Sequence, residues 1–541
     1  MKAESQRIDH LGIIAGVIKE IKLIELIDDR ISVKDDEQIS TGEAVAGMIL
    51  NGLGFSNRPM TLTPQFFENK ALEKLFREGV KAEYFNRFKL GRALDNCYDY
   101  GTGELFAEVS AAVCIQESVD QRFNSLDTSA LALSGEYNCE TDENAILITH
   151  GYSKDHRPDL KQAMIEMMVS QDGGVPLIFE ALDGNSSDTT VFKERAIALM
   201  DNFKQSETPR YLIADCKLYT HETVQSALCS IGFITRIPAS ISLEAKTINK
   251  AVNKPSEEWI MIDKENHYCS FDIEHYGCKQ RWFVISSDQM KERTEKSINK
   301  AKEREIKKLQ GELKKIGRER FSCKNDAKRS LSKISKAAKY HRVKESEITE
   351  KREYIKNGRP TQDSEYTIAY LISGIIEEDK EVILEELTQK SCYVLGTNIP
   401  EKELTDLEVI DAYKGQNRSV ERGFRFLKDP IFFTSSLFIK KPERIEGLLM
   451  VMTLALLVYS IAERMLRKYL SSENITLPNQ IKKETSTPTL RWIFQMMEGV
   501  DLLLIEMNNM TYQTISTLTD LKKRIIVCFP LPVQKIYGLV S

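Results

Sequence analysis

Between residues 123 and 215 the chain consists of short apolar runs closed by turn-forming residues: NSLDTSALALSGEY, AILITHGYS, GGVPLIFEALDGNSSD and RYLIADCK. Apolar runs of this length bounded by Gly, Asn, Asp and Ser predict strands. The segment TTVFKERAIALMDNFKQS, just before the last of them, has helical spacing instead. Three successive strands followed by alternating helix and strand restrict this stretch to a mixed α/β sheet.

The flanks have a different texture. In residues 1–115, Ile13, Ile14, Val17 and Ile18, then Ile21, Leu23, Ile24 and Leu26, recur at helical spacing, and Ser40 and Glu43 stand as a capping box before AVAGMILNGLGF. A helical unit of this kind suits a DNA-binding role and a purely structural role equally. Further on, EEWIMIDKENHYCSFDIEHYG and CKQRWFVISSD read as a hairpin, SEYTIAYLISGIIE and KSCYVLGTNIP as a second strand pair, and residues 288–357 between them as a charged helical stretch. The chain is expected to end in helices. The uncharged run Gly447–Ala462 has 16 residues and is closed by Glu446 and Glu463. That is short of the ~20 residues a membrane-spanning helix needs, so it predicts a helix buried in protein on nearly all faces, and no membrane partner.

At 541 residues the chain is long enough for roughly three or four units. The texture changes place them at 1–115 (helical), 116–230 (first part of the core), 231–390 (an insertion with a basic helical arm at 291–357), 391–470 (second part of the core) and 471–541 (C-terminal helices). With 42% hydrophobic and 29% charged residues, collagen-like, low-complexity and small disulfide-scaffold classes are excluded. Ten cysteines without a CxxC pair argue against zinc and for reduced thiols, and the N-terminus MKAESQRIDH has no apolar signal core. The expectation is a cytoplasmic protein.

A net charge of −5 discourages a nucleic-acid partner, but only as an average. Residues 291–360 hold 24 Lys+Arg against 11 Asp+Glu, a net of +13, which leaves −18 for the remainder. The basic segment is either a solvated helical hairpin laced by i,i+4 ion pairs or an arm that contacts phosphates.

Three acids stand out by context. Asp127 lies inside an apolar strand-like run and Asp215 at the end of another. A carboxylate in such a place is costly unless it is paired, hydrogen-bonded or bound to a cation; a strand-end turn or helix cap is the plainer account of either acid alone. Glu421 lies in YKGQNRSVERGFRFLKDPIF. If this is a helix, Val420, Phe424 and Leu427 form an apolar stripe beside a polar one of Arg418, Glu421, Arg425 and Lys428. One acid among bases fits a salt-bridged surface, and it also fits a metal-binding acid beside phosphate-gripping cations. Phosphodiester chemistry needs the second arrangement: two divalent ions clamp the attacking and leaving oxygens, held by a few hard carboxylate ligands.

These segments resemble the DDE transposases of bacterial insertion sequences, in the superfamily with a Tyr–Arg–Glu–Lys signature around its last acid. LDTS at Asp127, HGYSKDHRPDLKQ at 150–162, IADCKLYT at Asp215, TNI at 397–399 and YKGQNRSVERGFRFLKDP at 413–430 carry the resemblance. The N-terminal IDHLGIIAGVIKEI and NGLGFSNRPMTLTPQFF resemble a helical leader found in one branch. Tyr413 fits the signature tyrosine, and Lys428 follows Glu421 by seven residues as the signature requires. The arginine departs, because Gln416 stands three after Tyr413; Arg418 is the candidate substitute.

The resemblance implies a mixed α/β, α+β architecture: an RNase H-like core, a helical N-terminal domain, and a strand-plus-helix insertion between the second and third acids. It implies Asp127, Asp215 and Glu421 as catalytic metal ligands for two Mg²⁺ ions, with Mn²⁺ as a substitute. It implies cut-and-paste transposition through a hairpin on the element end, with double-stranded DNA (terminal inverted repeats and target) as partner and a homodimer in the DNA complex. Two other functions fit the same acids: a DNA-binding descendant without activity, and a nuclease without strand transfer. DNA contacts are expected at Tyr413, Arg418, Arg422, Arg425 and Lys428, and at Lys154 and Arg157 in the loop after the second run. A tryptophan of the insertion stacks on a flipped base in relatives. Trp259 and Trp282 are the candidates, with Trp282 preferred for its neighbours Lys279 and Arg281; a core position is the alternative for both.

Overall fold

The computed structural model describes residues 2–33, 37–55, 59–137, 142–152, 157–186, 209–355, 365–429, 439–507 and 510–540. The chain divides into two compact units, Met1–Thr235 with Glu408–Ser541, and Arg236–Leu407.

The first unit is built on β1 (Phe123–Leu133), β2 (Lys161–Ser170), β3 (Pro176–Leu182), β4 (Tyr211–Ala214) and β5 (Gly232–Arg236), in the order β3-β2-β1-β4-β5. β1, β2 and β3 form an antiparallel meander, while β4 runs parallel to β1 and β5 parallel to β4. This is the strand order of the RNase H-like fold, and the architecture is mixed α+β. β2 is buried along nearly all its length, which is why AMIEMMV is apolar on both faces apart from the buried Glu166 rather than alternating. The helix Thr102–Gln116 covers β3, with Phe106 against Phe179 at 5.8 Å between ring centres.

The helix Pro442–Ser472 also packs on β3. It contains the uncharged run, and 89% of its most apolar 18-residue window is buried inside the protein. Its two bracketing acids have internal partners: Glu446 accepts a hydrogen bond from the Thr102 hydroxyl at 2.7 Å, and Glu463 is 2% exposed within a group of cations. The capping box at Ser40 and Glu43 starts the helix Thr41–Leu53 as expected.

The chain ends in helices as expected, with Leu490–Met496, Asp520–Val527 and Leu531–Ile536, but the terminal regions also contain strands. Lys2–Arg7 is a strand paired antiparallel with Asp501–Met507, which in turn pairs with Met510–Ile515. A short apolar run such as LLLI does not distinguish helix from strand by periodicity, and the partner strand decides. AILITHGYS contributes only a bridge between Thr149 and Gln162 rather than a full strand. TTVFKERAIALMDNFKQS lies outside the described residues.

In the second unit, β6 (Ile260–Met261), β7 (Asn266–His275), β8 (Cys278–Ser287) and β11 (Cys392–Thr397) form antiparallel pairs in the order β11-β8-β7-β6. The β7–β8 hairpin turns at Tyr276 and Gly277, both at positive φ (54° and 74°), the backbone that two-residue hairpin loops require. β9 (His341–Tyr354) and β10 (Tyr366–Glu378) form a separate two-stranded ribbon.

Two expectations are corrected here. Residues 341–354 are strand, not part of a charged helical stretch, and β10 pairs with β9 rather than with Cys392–Thr397. The charged sequence HRVKESEITEKREY conceals its alternation because the ribbon is bulged between Lys344 and Glu347 and is largely exposed. The helices Asp288–Arg318 and Lys324–Ala337 precede the ribbon. Phe321, Ala327 and Ile372 form a small core with Ile316, Leu331, Ile348 and Tyr370 around it.

Candidate active site

Strand register brings two of the acids together. Leu126 of β1 is paired with Ala214 of β4 in a parallel ladder, so Asp127 and Asp215 are the next residues on adjacent strands. Neighbouring strands lie ~4.8 Å apart. Leu126 and Ala214 are both fully buried, whereas the two acids are half-buried. The pair therefore stands where the core of the sheet gives way to solvent. Each carboxylate accepts a hydrogen bond from the following backbone N–H: Asp127 from Thr128 at 2.7 Å, and Asp215 from Cys216 at 2.6 Å. The Thr235 hydroxyl of β5 donates to the Asp215 carbonyl at 3.2 Å and ties down the end of β4. Two like charges at this spacing favour a cation between or beside them.

Glu421 is on the helix Val420–Leu427, which packs on β1 and β2. Val420, Phe424 and Leu427 are buried, and Glu421 and Arg425 are exposed, as the stripe pattern predicts. The stripe does not extend through one helix, however. Arg418 belongs to the preceding 3₁₀ turn Gln416–Arg418, where it is exposed and 3.4 Å from Asp411, and Lys428 caps the C-terminus. Gln416, at the signature arginine's position, is buried.

Two contacts seat this helix. The Ser419 hydroxyl meets the Ser125 hydroxyl at 3.2 Å, and Ser125 shares a β1 face with Asp127. Gly423 lies against Met167, which is paired with Asp127 across the β1–β2 ladder. Among the described residues, no three His, Cys, Asp or Glu side chains are gathered closely enough to hold a metal ion. Among the described residues, the structure thus joins Asp127 to Asp215 and docks the Glu421 helix on β1, which carries Asp127, and on β2, without closing a three-acid cluster.

The predicted DNA contacts separate into groups. Arg422 points inward to the buried carboxylate of Glu463, which also holds Arg467 at 2.8 Å and accepts the Leu490 N–H at 2.9 Å. In the sequence Glu463 marks only the end of an apolar run; an acid abutting such a run is the available signal of a buried ion pair. Arg422 and Arg425, together with Arg491, Asp429 and Tyr459, line a cleft of about 210 Å³. Burial and the nearby Glu463 push the Tyr459 hydroxyl up to about 12. Tyr413 and Lys428 are half-buried. Arg157 is exposed and chelates Asp159 at 2.8 and 2.7 Å, and Lys154 lies outside the described residues.

Trp282 is a correction. It is 0% exposed, its indole N–H donates to Gln280 Oε1 at 2.8 Å, and His275 meets its ring edge-on at 5.6 Å. A side chain with no exposed face offers nothing for a base to stack on, so Trp282 is a core residue. Its neighbour Arg281 is likewise engaged internally, on Asp406 and the carbonyls of Ile399 and Leu404. Trp259 is half-buried.

Comparison with known proteins adds little beyond this geometry. A family model described as "Domain of unknown function (DUF4277)" matches residues 3–111. No curated protein matches the chain. A solved structure described as the cryo-EM structure of piggyBac transposase synaptic complex with hairpin DNA is similar over 92% of this chain and 82% of that chain, at 8% sequence identity and a TM-score of 0.37.

Proposed function

We propose that this protein is a DDE transposase, an enzyme that cleaves and rejoins DNA at the ends of a mobile element of the insertion-sequence kind. The observation that carries the reading is the Leu126–Ala214 pairing, which sets Asp127, within β1, beside Asp215, just past the end of the parallel strand β4, in an RNase H-like sheet. Two half-buried carboxylates side by side present hard oxygen donors, and Mg²⁺ characteristically takes one or two carboxylates while keeping water and substrate phosphates as its other ligands. Bound there, Mg²⁺ (or Mn²⁺) would lower the pKa of water or a 3′-hydroxyl and offset charge on the phosphodiester.

The protein's own part is positioning. Asp127, within β1, and Asp215, after the end of β4, each accept a hydrogen bond from the following backbone N–H. Glu421 is the third donor, carried on a helix seated by Ser419 and Gly423. Exposed Arg418 and Arg425, close to Glu421 in sequence, are suited to phosphate oxygens. The finer proposals are paired terminal inverted repeats as substrate, a homodimer in the DNA complex, a hairpin on the element end, and residence in the cytoplasm with the DNA.

The test uses a duplex carrying the inverted repeats that flank the reading frame. Asp127→Asn is expected to abolish Mg²⁺-dependent end cleavage and strand transfer from a 3′-hydroxyl end, with end binding retained. Cleavage at the wild-type rate by this variant would refute the assignment. Cleavage without strand transfer in the wild type would make the protein a nuclease.

A further inference from the structure

We propose that the outer face of the helix Asp288–Arg318 is a binding surface for the sugar-phosphate backbone of duplex DNA, read without regard to sequence; this extends, and rests on, the transposase reading. Arg293, Lys300, Arg304, Lys307, Lys314 and Arg318 follow one another at steps of seven, four, three, seven and four residues. Those steps keep all six on one helical face. All six are exposed, and among the described residues none has an ion-pair partner.

The inner face of the same helix is the opposite in character. Ile298 and Leu309 are buried there. Lys302 pairs with Glu378 at 2.8 Å, and Glu305 accepts the backbone N–H groups of Lys339, Tyr340 and His341 at 2.9, 2.9 and 3.1 Å. The acidic segment that could neutralise the outer stripe is engaged elsewhere. Glu377 holds Lys344, Asp379 and Glu381 hold Arg342, and Glu386 holds Lys339 and Lys390. These acids are therefore paired with cations outside the row, and among the described residues none of the six is in an ion pair with them.

Like charges spaced three or four apart on a helix repel. A rigid cationic row suits a polyanion of regular spacing. From Arg293 to Arg318 the helix rises about 38 Å at ~1.5 Å per residue, close to the ~34 Å of one duplex turn. No aromatic or apolar side chain interrupts the row; Ser297 and Gly311 are its uncharged breaks and Glu303 flanks it. The lack of aromatics argues against base stacking and for backbone contact. The lack of apolar residues argues against an anionic membrane, which an interfacial helix engages with an apolar face.

The experiment compares the full-length wild type with Lys300→Ala/Arg304→Ala/Lys307→Ala/Lys314→Ala. Binding to a random-sequence duplex of about 30 base pairs is measured across salt concentrations, with circular dichroism to confirm an unchanged fold. Each lost phosphate contact lowers the slope of log K against log salt by roughly 0.9, so a fall of about 3 to 4 is expected, with at least about tenfold weaker binding at low salt. An unchanged slope overturns the proposal, as does loss of binding to phosphatidylserine vesicles with duplex binding intact. Element-end cleavage, read separately at saturating DNA, reports on the transposase assignment. A variant that loses salt-sensitive binding while Asp127→Asn still cleaves keeps the surface and removes the enzyme reading.

Discussion

The Ser419 hydroxyl lies 3.2 Å from the Ser125 hydroxyl, joining the start of the Glu421 helix to the strand that carries Asp127. Both serines are buried, and Gln171 also donates to Ser125 at 3.2 Å. Ser419→Ala is expected to destabilise the protein by about 1 kcal/mol, with Ser125→Ala similar. Urea denaturation of the two single variants and the double variant should give a sum larger than the double effect; strict additivity would show that the pair does not act together.

Glu463 also anchors that helix, through Arg422. It is buried with Arg422, Arg467 and the Leu490 N–H as partners. Glu463→Gln leaves two inward-facing guanidinium groups without their counter-charge, and a loss of about 3 kcal/mol or more is expected. Chemical denaturation measures it. A loss below about 1 kcal/mol, the range of an exposed ion pair, would contradict the burial argument.

Gly423 has no room for a side chain. An added Cβ would lie 2.8 Å from Met167 Cε and 3.1 Å from Leu456 Cδ2. Both obstacles are ends of flexible side chains, so Gly423→Ala is expected to cost about 1–2 kcal/mol rather than to unfold the protein. Adding Met167→Ala should relieve part of the crowding, so the double variant should be more stable than the two single losses predict. Thermal unfolding of the series decides.

His10 gives the fold a pH dependence. It is buried, stacked on Phe494 at 4.5 Å and beside Phe55 at 4.7 Å, and hydrogen-bonded through Nε2 to the Leu53 carbonyl at 2.9 Å. Burial pushes its pKa down from 6.5 to about 4. A folded pKa below the unfolded one means that the unfolded chain takes up the proton first. The stability associated with neutral His10 is therefore complete above pH 6.5, falls as the pH drops toward about 4, and levels off below. The span is about 3 kcal/mol at ~1.4 kcal/mol per pH unit. His10→Gln should flatten the stability profile between pH 6.5 and 4; an unaltered profile would remove His10 as its source.

The Asp127–Asp215 pair should trade stability for function. Neighbouring carboxylates repel when no cation is bound. Asp215→Asn is expected to raise the melting temperature of the metal-free protein by a few degrees, about 0.5–1 kcal/mol. It should also remove the stabilisation that added Mg²⁺ gives the wild type. A wild-type melting temperature indifferent to Mg²⁺ would count against a cation at this pair.

The sequence alone determined the parts of this protein that local physics controls. The run NSLDTSALAL became β1, YLIA became β4, Ser40 and Glu43 capped their helix, and Val420, Phe424 and Leu427 turned inward. Periodicity and capping depend on neighbours a few residues away, and those neighbours are written in order along the chain. Tertiary structure alone decided the rest. Nothing in the 88-residue separation of Asp127 and Asp215 states that they are adjacent; the parallel register does. Nor does local sequence send Trp282 and Arg422 inward, pair Lys2–Arg7 with Asp501–Met507, or commit the acids at 377–386 to cations other than the outer row of the long helix. Those outcomes depend on which distant surface buries a side chain or completes a backbone hydrogen bond, and that partner is chosen by the fold.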